Sequence, residues 1–137
     1  MIESKFPWCD SDWTGIFLKA CIIYELHVGT FTAGGTFEAI FSHLQNLADL
    51  GITTIELMSI DQFPGERNRG YHGVNLYAAQ HSYGGPPGLK ELVNACHWQG
   101  IAVILNAVYN HLRAGGQHLV AFGPYLRTGM KFPGERH

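Results

Sequence analysis

The sequence predicts an α/β fold built on one βαβαβ unit, three parallel strands joined by two crossover helices. Three observations predict it. Two β-branched runs each follow a helix-like stretch that ends in glycine, "LADLGITTIEL" and "CHWQGIAVIL". A third run, "CIIYELHVGTF", is β-branched and aromatic and precedes the first of those helices. Strands alternating with helices require crossovers, and such crossovers lay strands parallel with a right-handed turn.

The elements follow in order. Residues 1–20 are aromatic and turn-rich without a sustained period, which predicts an arm that packs on the surface and leads into the first strand. The unit itself occupies 21–108, and 109–137 is an irregular segment after the third strand, all within a single domain of 1–137. The first strand is predicted over 21–31. The turn "TAGGT" ends on Thr36, whose hydroxyl suits a helix N-cap. From Phe37 the apolar residues at 37, 40, 41, 44, 47, 48 and 50 mark one helical face, and Gly51 supplies the left-handed stop. A strand over 52–60 comes next, then a long polar loop carrying "FPGERNRGYHG". Pro86 and Pro87 open the second helix, whose stripe is Leu89, Leu92, Val93 and Cys96, with Gly100 as its stop. The third strand is predicted over 101–108.

Composition limits the function classes. Apolar residues make up 46% of the 137 and charged ones 15%, which excludes a disordered tail and leaves little charge to keep apolar surface solvated. A net charge of -2 with no Lys/Arg run gives no footing for nucleic acid or an anionic membrane, and no apolar run reaches a membrane-spanning length. The start lacks the basic-then-apolar pattern of a signal peptide, and Cys9, Cys21 and Cys96 lack metal-site spacing, so a cytoplasmic location is the expectation. No nucleophile-elbow or phosphate-loop pattern is present, and Cys96 falls on the apolar stripe of a helix.

Parallel strands covered by helices are usually apolar on both faces. Here alternation places Glu25, His27, Thr54, Glu56 and Asn106 on the side away from the helices. Ionised carboxylates inside a sheet demand partners, water or chemistry. A hydrogen-bonded polar layer satisfies that demand, and so does a working site.

The segments "IYELHVGTFT", "GTFEAIFSHLQNLADLGITTIELM", "QFPGERNRGYHGVNLYAAQHSYGGPPGLKELVNACHWQGIAVILNAVYNH" and "FGPY" together resemble the α-amylase group, glycoside hydrolase family 13. Within it they look like the opening of the catalytic barrel in the malto-oligosyltrehalose trehalohydrolase and glycogen-branching branch. The resemblance runs from about Phe6 to Tyr125. It implies a partial TIM barrel, in which this chain supplies strands one to three, with the site at the carboxyl ends of the strands. It implies an α-glucan or small carbohydrate as ligand, and an Asp nucleophile and a Glu acid/base on later strands, neither of which has a counterpart in the sequence after His111.

By the same resemblance, His111 matches a histidine that contacts the sugar and Tyr71 an aromatic that stacks on it. Asn106 stands where the usual "DVVYNH" has an Asp, and His72 replaces the acid of the usual "GYDG". Both departures remove negative charge and weaken the case for ordinary glycosidase work. The substrate-binding candidates are therefore Tyr71, His111 and Asn106, against which packing stands as the plain reading for Tyr71 and Tyr77. Asn110 is expected to act as a loop-capping amide.

A different reading uses the strand-end residues directly. Glu25, Glu56, His72 and His111 are the catalytic candidates. His27, His72, His111 and Glu56 could hold a divalent metal whose bound water would attack esters or phosphoesters. No HxH or HExxH spacing supports it, and no cofactor is expected otherwise. Three strands cannot close a barrel, so the edges and the face bearing Glu25, Thr54, Glu56, Met58 and Ile104 stand open, which predicts completion by self-association as a homo-oligomer. A purely structural, self-associating domain without ligand is the third reading. "FPGER" recurs at 132–136, and the sequence offers no physical account of that second copy.

Overall fold

The computed structural model describes residues 5–69, 71, 73–109 and 121–123. Among the described residues, five strands and three α-helices follow one another: β1 (Ile23–Leu26), α1 (Val28–Phe31), α2 (Phe37–Asp49), β2 (Thr54–Leu57), β3 (Asp61–Gln62), β4 (Asn75–Ala79), α3 (Gly85–Trp98) and β5 (Ala102–Leu105). β1, β2 and β5 form a parallel sheet in that order, so the predicted βαβαβ unit is present.

The strands are shorter than predicted. β1 ends at Leu26, because His27 becomes the N-cap of α1 and the backbone turns into a single helical turn. β2 and β5 likewise stop at Leu57 and Leu105. The loop carrying "FPGER" is not wholly irregular, since β3 and β4 pair antiparallel within it. Its alternation was hidden by the length of the polar segment between two very short strands.

The helix boundaries match their signals. Thr36 Oγ1 accepts from the Ala39 backbone N–H at 3.2 Å, the expected N-cap bond. Gly51 and Gly100 take φ values of +89° and +74° just past the two helices, where a side chain would be strained. Phe37, Ile40, Leu44 and Leu47 of α2 and Leu92 and Cys96 of α3 are buried, together with Ile55 and Leu57 of the central strand. Leu50, included in the predicted stripe, is exposed because it lies past the end of α2 and follows the turn outward.

Register fixes which residues share a face. Ile23, Thr54 and Ala102 align, and one pleat on, Glu25, Glu56 and Ile104 align. α2 and α3 pack against each other over the opposite face, where Ile55 and Leu57 sit. On the Glu25 face, Glu25, Ile23 and Ile104 are exposed and Glu56 half-buried, while Thr54 at the centre is covered. The N-terminal arm docks on α3: Asn94 Oδ1 accepts from the Cys9 N–H at 2.8 Å, Asp10 Oδ2 meets His97 Nδ1 at 2.6 Å, and Trp13 stacks on the His97 ring at 4.3 Å.

Candidate functional site

The carboxyl ends of β1 and β2 open into a depression of about 470 Å³, lined among others by Glu25, His27, Met58, Asn68, Arg69 and Tyr71. Glu25 comes from the exposed sheet face and Met58 from the residue after β2; Asn68, Arg69 and Tyr71 come from the loop between β3 and β4. One face of the site is therefore strand-borne and rigid, and the other is loop-borne.

Three devices hold that loop in place. Phe63, the first residue of "FPGER", is buried in the core against Tyr83. Gln80 is buried with both amide atoms used: Oε1 accepts from the Phe63 N–H at 3.0 Å, and Nε2 donates to the Gly65 carbonyl at 3.1 Å and to Ser82 Oγ at 2.9 Å. Gly73 passes so close to Asp61 that an added Cβ would lie 2.6 Å from the Asp61 Cβ, which explains why "GYHG" must end in glycine. Sequence reasoning missed Gln80. Its only signal was a polar residue at the end of an otherwise apolar run, and burial alone gives that signal meaning.

His27 is the fourth support. Its Nε2 lies 3.0 Å from the Asn68 carbonyl oxygen, which can only accept, so Nε2 carries the proton. Nδ1 then takes the Thr30 hydroxyl, 3.2 Å away, and the Tyr83 hydroxyl lies 3.4 Å from Nε2. With both ring nitrogens engaged, His27 fixes the loop. It presents no free lone pair to a metal, and among the described residues no three of His, Cys, Asp and Glu converge on a common point. The other imidazole candidates, His72 and His111, and the capping candidate Asn110 lie outside the described residues, as does the second "FPGER".

Glu56 and Asn106 form the polar layer on the sheet. Asn106 Nδ2 donates to Glu56 Oε1 at 3.4 Å, and the backbone N–H of Asn106 continues the ladder to the Leu57 carbonyl at 2.9 Å. Glu25 is beside Glu56 in register. An Asp at 106 would set two carboxylates against each other, whereas the amide converts that contact into a hydrogen bond. Asn106 does not share the Tyr71 depression. It lines a second cleft with Tyr77 and Tyr109, so the sequence-predicted sugar contacts fall into two places.

Known proteins resemble this chain over most of its length. The profile described as alpha amylase, catalytic domain, matches residues 6–119. A malto-oligosyltrehalose trehalohydrolase of Saccharolobus solfataricus is 48% identical over 133 residues, 97% of this chain and 24% of its own length. A 1,4-alpha-glucan branching enzyme of Corynebacterium jeikeium is 31% identical over 126 residues, 88% of this chain and 18% of its own. Among solved structures, a provisionally assigned alpha amylase from Salmonella typhimurium superposes with a TM-score of 0.90 at 39% identity, over 95% of this chain and 22% of its own. The chain thus spans about a quarter of the first of these curated relatives and less of the others.

Proposed function

The chain belongs to the α-amylase catalytic-domain family, and from that premise we propose that it forms part of the sugar-binding mouth of a glycoside hydrolase acting on α-glucans, related to the trehalohydrolases. The observation that carries this reading is the depression at the ends of β1 and β2, which Glu25, Arg69 and Tyr71 line, with its loop side fixed by His27 and Gln80. A sugar needs an aromatic face for its C–H side and charged groups for its hydroxyls, and these three side chains supply both.

Binding without cleavage is the expectation for these residues alone. Glycoside hydrolysis places two carboxyl groups on either side of the scissile bond. Glu25 and Glu56 instead stand on neighbouring parallel strands and leave the sheet on the same side, and Glu56 is tied to Asn106. The open sheet face also supports self-association, since Ile23 and Ile104 on it are 47% and 38% exposed, with β1 and β5 as sheet edges. A light-scattering mass of one chain at micromolar concentration would remove that part of the proposal.

The binding reading is tested by following the Met58 methyl resonance while trehalose, maltose or maltotriose is added. A saturable shift that disappears in Tyr71→Ala is the expected result. A Met58 signal that stays put, or one that moves equally in the variant, overturns the reading.

A further inference from the structure

The docked arm creates a surface that the mouth does not use. Where the arm meets α2 and α3 lies an apolar groove of about 400 Å³, lined among others by Cys9, Phe41, Leu44, Ala95 and Trp98. Trp98 is 80% exposed, so its ring is not there to fill the core of the described chain. Cys9 and Trp98 also line an adjoining hollow of about 260 Å³, whose carboxyl groups belong to Asp10 and Asp12. Asp10 is taken by His97, which leaves the exposed Asp12 to meet a cation. Among the described residues no lysine or arginine lines either hollow. An apolar groove with a negative end suits an occupant that carries large apolar side chains next to a positive charge.

The chain itself presents such a piece. Phe17 and Leu18 are 84% and 85% exposed, and Lys19 follows them in the short 3-10 turn Leu18–Ala20 that leads into β1. Backbone and side-chain bonds fix that turn: the Ala20 N–H donates to the Phe17 carbonyl at 2.8 Å, and Thr53 Oγ1 donates to the Ala20 carbonyl and accepts from the Ile22 N–H, both at 2.9 Å. A turn tied to the entry of β2 cannot leave to fill the groove of its own chain, so the copy that supplies it is another one. Because the turn is already formed, docking it costs little ordering. We propose that a second copy of this chain docks in the groove, with its Phe17 and Leu18 against Trp98 and Phe41 and its Lys19 ammonium beside Asp12. This contact uses neither the open sheet face nor the residues of the sugar-binding mouth.

Sedimentation of the full chain across the micromolar range reads the contact. The parent is expected to associate, and Phe17→Ser combined with Leu18→Ser to weaken association at least about tenfold, since both apolar anchors are lost. The exposure of both residues makes that variant safe for folding, which circular dichroism checks. Lys19→Glu and Asp12→Lys should each weaken association by about two- to fivefold, and the two together should restore it, an outcome that a folding defect does not imitate. Unchanged association in the Phe17→Ser, Leu18→Ser variant overturns the proposal and leaves the open sheet face as the contact. Additive loss in the charge-swapped pair also overturns it, because Lys19 and Asp12 would then not meet. A parent that stays a single chain overturns both modes of association and leaves the sugar-binding proposal standing.

Discussion

Asn106→Asp is the most informative single change to the polar layer, because it writes the acid of the related motif back into a site whose neighbours are on view. The amide now donates to Glu56 across 3.4 Å, and Glu25 flanks Glu56 in register. Two full negative charges at that separation repel by about 1 kcal/mol in a water-like dielectric and by about 5 kcal/mol at an effective dielectric of ~20. Glu56 is half-buried and Glu25 exposed, so the cost belongs in the lower half of that range, to which the lost hydrogen bond adds about 1 kcal/mol. The sign follows from linkage. Folding brings the acids together, so the folded variant binds a shared proton more tightly than the unfolded chain. Its stability should therefore match the parent below the ordinary carboxylate range and fall behind as pH rises through it. Urea denaturation from about pH 4 to about pH 8, at low salt and again at high salt, measures this, and salt should narrow the gap. Equal urea midpoints for parent and variant at pH 8 in low salt would refute the account of the layer.

Three further outcomes follow from the packing. Thr54 Oγ1 is buried and has no hydrogen-bond partner among the described residues, so the near-isosteric Thr54→Val should stabilise the chain by about 1 kcal/mol or more in urea denaturation. Burial pushes the Cys96 thiol up from 9.0 to about 12. Native Cys96 should therefore resist a thiol reagent that labels exposed Cys9. Since the unfolded thiol ionises first, folding stability should fall as pH climbs from about 9 towards 12. Asp10→Asn weakens the 2.6 Å contact with His97, and the expected loss of about 1–2 kcal/mol should come with faster proteolysis of the arm ahead of residue 20.

Much of the fold was legible because local chemistry and tertiary packing agree in it. Thr36 acts through its own hydroxyl on the next turn, and Gly51, the Pro86–Pro87 pair and Gly100 through their own backbone, so they mark boundaries whatever surrounds them. The strands were legible in order and direction but not in length, since His27 reads as β-like until Thr30 and Asn68 draw its ring into a turn. The candidate site was legible in type and not in grouping. Alternation placed Glu25 and Glu56 on one face, yet nothing in the sequence says that Asn106 opens onto a different hollow from Tyr71. Gln80 was invisible because its role depends on partners up to 17 positions away. The arm was legible as an arm, but its Asp10–His97 anchor joins positions 87 apart and left no mark in either neighbourhood.

In the three-stranded sheet, spatial order repeats the order of synthesis, β1 beside β2 and β2 beside β5. Each strand emerging from the ribosome can join the rim left by its predecessor without prising apart anything already made. Assembly in that sense is additive, like laying planks, and the newest rim at β5 is always the one ready to receive the next.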